Sequence, residues 1–170
     1  MIYIVMGVAG AGKTTVGAAL AAALGCEFLE GDRLHPAANV DKMRRGIPLT
    51  DADRAPWLEA IRQRLEAAAG AGRDLVVACS ALKQGYREQL NRGLEVRWIY
   101  LQGDPALLRR RLEQRQGHYM KANMLASQLA DLEEPAQALR INAAEPAAAI
   151  VARILGVGDR SGGRIHPSTP

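Results

Sequence analysis

The strongest constraint on this chain is a nine-residue loop, Gly7-Val8-Ala9-Gly10-Ala11-Gly12-Lys13-Thr14-Thr15, set between the apolar run Ile2 to Met6 and an alanine-rich stretch. Its Gly-x-x-x-x-Gly-Lys-Thr spacing, after a strand pattern and before a helix pattern, is what a phosphate cradle requires. Glycines let backbone N–H groups turn inward around phosphate oxygens without interference from a Cβ. The start of the following helix adds a partial positive charge of about half a unit. Lys13 can reach the β- and γ-phosphates, and the Thr14 hydroxyl can ligate Mg²⁺. Residues 7–15 are therefore expected to surround a nucleoside triphosphate.

The remaining pattern alternates short apolar runs with helical spacings. Helix Thr14 to Leu24, closed by Gly25, leads to a strand at Cys26 to Leu29. Pro36 is placed to start a helix that Gly46 stops, and Thr50 or Asp51 can cap the next, which carries Trp57, Leu58, Ile61 and Leu65. Leu75 to Cys79 reads as a third strand, followed by a helix through Tyr86 and Leu90, and Val96 to Leu101 as a fourth. Asp104-Pro105 supplies an N-cap and a first-turn proline for a helix carrying Leu107, Leu108 and Leu112. Residues 116–120 are expected to form a mobile loop, Ala138 to Asn142 a fifth strand, and Pro146 to Leu155 the last helix. Strands that are apolar throughout and alternate with helices predict an α/β fold, a parallel sheet covered on both faces. The expected organisation is one domain over residues 1–155, with a lid at about 111–125 and a flexible tail over 156–170.

Composition narrows the partners. The formal charge of +4 and a pI near 9.4 suit an anionic ligand. No run of Lys and Arg interleaved with aromatics is present, so no nucleic-acid partner is expected. No apolar run approaches the ~20 residues a bilayer requires, and the N-terminus lacks the pattern of a signal peptide. Cys26 and Cys79 have no metal-ligand spacing with each other or with His35, His118 and His166. Both are expected as small buried hydrophobes of a cytoplasmic protein.

A guanine-reading Asn-Lys-x-Asp is absent, and the only Asp-x-x-Gly, Asp159 to Gly162, falls in the tail. A motor or transporter ATPase would be longer and would usually end its third strand in an acidic residue, where this chain has Cys79-Ser80. The carboxylates come instead after the second strand, at Glu30 and Asp32. That arrangement suits a small phosphotransferase whose acceptor lies beside the second strand. Asp32 is placed to accept the proton of an attacking hydroxyl and orient it in line with the γ-phosphate. Arg111 and Arg115, four residues apart, share a helix face and can stabilise charge on the moving phosphoryl group, while Arg109 and Arg110 point elsewhere. A nucleotide-binding regulator without turnover would need neither Asp32 nor this pair.

Two longer blocks carry a resemblance. Gly31-Asp32-x-Leu34-His35-Pro36-x-x-Asn39-Val40-x-Lys42-Met43 and Gly46-x-Pro48-Leu49-x-Asp51-x-Asp53-Arg54-x-Pro56-Trp57-Leu58 resemble the gluconokinase family. Cys79-Ser80-Ala81-Leu82-Lys83-x-x-Tyr86-Arg87 and Arg111-Leu112-x-x-Arg115-x-Gly117-His118-Tyr119 resemble that family's next block and its lid. The resemblance runs from residue 2 to about residue 155. It implies an adenylate-kinase-like P-loop kinase fold with strand order 2-3-1-4-5, and phosphorylation of the terminal hydroxyl of D-gluconate by ATP with Mg²⁺. It implies Lys13, Asp32, Arg111 and Arg115 as catalytic, and Asp32, His35, Arg54, Lys83 and Arg87 around the sugar acid. A polyol carboxylate indeed needs a cationic partner, and an Arg can grip one through two parallel bonds. One lid arginine is implied to cover the adenine opposite the loop Asn142 to Pro146, and the assembly is implied to be a homodimer. Glu30 departs from the aspartate that related kinases often place near Mg²⁺ and is not expected as a direct ligand. Other kinases of this fold, acting on shikimate or a nucleoside monophosphate, are the competing expectation.

Overall fold

The computed structural model describes the backbone of residues 1–114 and 118–159, and side chains over 1–114 and 124–156. Arg115 and Gly117 lie outside the described residues, as do the side chains of His118 and Tyr119 and the segment 160–170. Strands β1 (Ile2–Met6), β2 (Glu27–Glu30), β3 (Leu75–Ala78), β4 (Val96–Gln102) and β5 (Leu139–Asn142) form one sheet in the order β2-β3-β1-β4-β5. Every neighbouring pair is parallel. Helices α1 (Lys13–Leu24), α2 (Ala37–Arg44), α3 (Asp51–Gly70), α4 (Gln84–Asn91), α5 (Pro105–Glu113), α6 (His118–Asp131) and α7 (Ala147–Asp159) connect them.

The two-residue period of a strand explains the layering. On central β1, Tyr3 and Val5 enter one cluster with Val16 and Leu20 of α1, Leu108 of α5 and Ile150 and Ile154 of α7. Ile2, Ile4 and Met6 enter the other, with Trp57, Leu58, Ile61 and Leu65 of α3 and Leu90 of α4. All five β1 residues are buried, as a strand covered on both faces must be.

The caps follow the local chemistry. Gly25 closes α1 in the left-handed region at φ 65, its N–H reaching the carbonyls of Ala21 and Ala22. Thr50 and Asp53 form a reciprocal capping box on α3, and Asp104 caps α5 with Pro105 in its first turn. Most element ends fall within one residue of expectation, and two differ by more. Helix α6 already begins at His118, within the stretch 116–120 expected as loop. Helix α7 continues past Leu155 to Asp159, so the expected domain boundary falls inside it. Gly156 and Gly158 lower helix propensity by about 1 kcal/mol each, but they keep their N–H groups and do not break the hydrogen-bond ladder as proline would. Among the described residues no helix is long and apolar enough to cross a membrane.

Candidate active site

In a parallel sheet the carboxyl ends of all strands open on one edge, where ligands collect. Here that edge carries the loop after β1, the turn after β2 and the loop after β3. Gly7 leaves β1 at φ 146, and a Cβ there would stand 2.8 Å from the Leu101 carbonyl oxygen, so the tight passage beside β4 requires glycine. Gly12 sits in the left-handed region at φ 93 and offers α1 no side-chain cap, leaving first-turn N–H groups turned toward the loop. Lys13 spans the loop, its Nζ donating to the Val8 carbonyl at 3.0 Å. The Ala9 N–H donates to Oε1 of Gln128 on α6 at 2.7 Å. Val8 and Ala11 are buried and hold the loop to the core, whereas Thr14 and Thr15 are exposed. The Thr14 hydroxyl donates to the Glu30 carboxylate at 2.5 Å. Arg111, on α5, turns back to the loop, with Nη1 3.4 Å from the Gly10 carbonyl oxygen.

After β2 the chain turns in a single 3-10 turn, Gly31–Leu34, which presents Asp32. A Cβ on Gly31 would lie 2.6 Å from the Ala78 carbonyl oxygen, so only glycine brings the turn this close to the end of β3. The buried Trp57 indole N–H donates to the Gly31 carbonyl at 2.8 Å, and His35 stacks on the same indole. Burial, offset in part by Asp32 and reinforced by Arg54, holds the His35 imidazole below its ordinary pKa.

Arg54 is the cation that lines the cavity on this side, with its side chain only 12% exposed. Its Nη1 donates to the Tyr86 hydroxyl at 3.0 Å and to the Asp131 carboxylate, at the end of α6, at 3.1 Å. Burial works against its charge, but the bonds to Tyr86 and Asp131 outweigh it and push the guanidinium pKa up. Tyr86 in turn donates to Asp51, which also receives Lys83 Nζ at 2.9 Å. The Lys83 and Tyr86 hydrogen bonds hold the Asp51 carboxyl below its usual range.

One cavity, about 270 Å³, joins the two halves. Lys13, Thr14, Asp32, His35 and Arg54 all line it. This volume lies near the low end for small-molecule sites and suits a small acceptor. Among the other expected nucleotide-loop residues, Ala9, Gly10 and Gly12 line it as well.

Lys83 and Arg87, expected around the sugar acid, do not line the cavity. Lys83 is drawn to Asp51. Arg87 is 5% exposed and spends its donors on the Ala81 and Leu82 carbonyls, each at 2.9 Å, and on Gln84. Those bonds brace the loop in which Ala81 takes φ 42, rare for a residue with a Cβ. Ser80, Met124, Ser127 and Gln128, which no sequence motif marks as site residues, also line the cavity. The last three, with Asp131, recur at helical spacing on α6, a signal that was present but gave no direction to the face. Cys79 is fully buried, which pushes its thiol up to about 12, while Cys26 is half-buried. Among the described residues no three His, Cys, Asp or Glu side chains gather as a metal group.

Comparisons with known proteins agree with this geometry. A protein-family profile described as an AAA domain matches residues 2–137. The chain is 53% identical over 134 residues to the gluconokinase of Gluconobacter oxydans (strain 621H), spanning 78% of this chain and 75% of that protein. It superposes with TM-score 0.86 and 40% identity on an unliganded sugar kinase from Janibacter sp. HTCC2649, covering 93% of this chain and 94% of the other. For a gluconokinase from Sinorhizobium meliloti 1021 the TM-score is 0.80 at 40% identity, with coverage of 94% and 96%.

Proposed function

This chain belongs to the gluconokinase family of P-loop kinases, and from that premise we propose how its cavity phosphorylates the terminal 6-hydroxyl of D-gluconate with ATP. The observation that carries the reading is the single cavity shared by Lys13 and Thr14 on one side and Asp32, His35 and Arg54 on the other. ATP lies along residues 7–15, its phosphates on the loop N–H groups and the start of α1. The gluconate carboxylate and hydroxyls meet Arg54 and His35. The 6-hydroxyl oxygen forms the new bond to the γ-phosphorus as the bond from that phosphorus to the β–γ bridging oxygen breaks. The hydroxyl proton passes to the Asp32 carboxylate, and ADP leaves. Lys13 and Arg111 stabilise charge on the transferring group, and Arg115 is proposed to join them. Lys83 and Arg87 act from behind, through Asp51 and Tyr86 and through the Ala81–Leu82 backbone.

The Thr14 hydroxyl and the Glu30 carboxylate bring two hard oxygen donors to one point beside the loop, a donor set that fits Mg²⁺. They would hold the ion directly or through its waters, and Mg²⁺ supplies neutralisation of phosphate charge when bound with ATP. Family resemblance supports a homodimer, and the unpaired cysteines are compatible with a reducing cytoplasm.

The test is ADP release from Mg-ATP with D-gluconate, shikimate, AMP, CMP or no acceptor in parallel. ADP formation dependent on D-gluconate alone is the expected result. Turnover with shikimate or a nucleotide would keep the loop and overturn the acceptor pocket.

A further inference from the structure

Asn39 does not line the cavity, yet its contacts decide what His35 can present there. It is 3% exposed, and its Nδ2 donates to the Asp53 carbonyl oxygen at 2.8 Å. A carbonyl oxygen only accepts, so this bond fixes which end of the amide carries nitrogen. The same Nδ2 lies 3.2 Å from His35 Nδ1. Its second hydrogen must meet a lone pair there, which makes Nδ1 the acceptor and leaves the ring proton on Nε2.

The ring is not free to choose otherwise. It stacks on Trp57 at 4.4 Å, and Trp57 is itself bonded to the Gly31 carbonyl. A ring flip would set a carbon against the Asn39 N–H and leave a buried donor unpaired. The charged groups acting on the imidazole are Asp32, from its own turn, and Arg54, from α3. Asp32 favours protonation, but burial and Arg54 oppose it, and the net direction is toward the neutral ring. From α2 the ring meets the uncharged amide of Asn39.

We infer that Asn39 is a positioning residue that holds His35 as the neutral Nε2–H tautomer, so that the cavity receives a hydrogen-bond donor for an oxygen of the acceptor. This rests on the sugar-acid reading of the pocket. With Arg54 already supplying a fixed cation, a neutral donor recognises hydroxyl or carboxylate oxygen without a charge that varies with pH.

The first arm uses the full nucleotide-free chain with ¹⁵N-labelled histidine and long-range ¹H–¹⁵N correlation, His35 being assigned by its loss in His35→Gln. An unprotonated Nδ1 and a protonated Nε2 at pH 7 are expected. A protonated Nδ1, alone or in an imidazolium, overturns the inference. This arm needs no acceptor, so inactivity toward D-gluconate would count against the pocket's reading and not against the tautomer. The second arm is kinetic. Asn39→Ala should raise the D-gluconate KM about tenfold with little change in kcat, the loss of one well-placed hydrogen bond. In the His35→Gln background the same change should move KM by less than about twofold. Equal rises in both backgrounds overturn the positioning role, and if Asn39→Ala does not fold, the wild-type spectrum decides.

Discussion

The His35 imidazole stacks on the Trp57 indole, with ring centroids 4.4 Å apart and an angle of 10° between the ring planes. That stack joins the Leu-His-Pro turn to the Pro-Trp-Leu segment of α3. The indole also bonds to Gly31, immediately before Asp32, so one buried ring supports both residues on the acceptor side. Trp57→Phe keeps a ring beneath His35 but strips the Gly31 carbonyl of its donor, and should cost about 1–3 kcal/mol. Trp57→Ala should cost about 3–5 kcal/mol through the cavity it leaves. Urea unfolding with matched m-values measures both, and a Phe variant as stable as wild type would show that the hydrogen bond holds nothing.

Asp32→Asn keeps the size of the side chain and removes its ability to take a proton. Turnover should fall by about 100-fold or more, with ATP affinity within about twofold, since Asp32 stands on the acceptor turn and not in the nucleotide loop. Paired measurements of ADP release and ATP titration test this. Near-normal turnover would remove Asp32 from the mechanism.

Glu30 accepts the Thr14 hydroxyl and so stands next to the proposed Mg²⁺ position. Glu30→Gln should raise the Mg²⁺ concentration giving half-maximal rate severalfold, with nucleotide binding in EDTA unchanged. An unaltered Mg²⁺ requirement would assign Glu30 to orienting Thr14 alone.

Arg54 bonds through one nitrogen to both Tyr86 and Asp131, which a lysine ammonium on its flexible stem does not reproduce with the same planar geometry. Arg54→Lys should raise the D-gluconate KM about tenfold and leave the ATP KM within about twofold. Parallel rises in both would point to a general loosening of the site.

Asp53 joins the cap of α3 to Lys42 on α2, bonds of 2.8 and 2.9 Å. The Lys42 hydrogen bonds, with Thr50, hold its carboxyl at about 2 against an ordinary 3.8. The folded state therefore binds this proton less readily than the unfolded one. The stabilisation is complete above about pH 4 and is lost as pH falls from 3.8 toward 2. Asp53→Asn should lower stability at pH 7 and flatten its decline across that acid window. Chemical denaturation at several pH values checks the sign, and an unchanged slope would contradict it.

The phosphate loop, the parallel sheet and most helix ends are legible in the chain alone, because their physics is local. Glycine spacing, short apolar runs and the Thr50 and Asp104 caps act over a few residues and leave their pattern in the chain. The acceptor side was legible only as a set of residue types. Arg54 finds Asp131 across 77 residues, Ala9 finds Gln128 across 119, and Lys83 finds Asp51 across 32. A sequence shows that a cation is available but not which group will hold it, and so the partners of Lys83 and Arg87 are set only by packing. Asn39 is the clearest case. Its burial, its bond to a backbone carbonyl on another helix and its grip on His35 exist only once α2 and α3 have packed against the turn after β2, because a polar group excluded from water must take the partners that the fold brings to it.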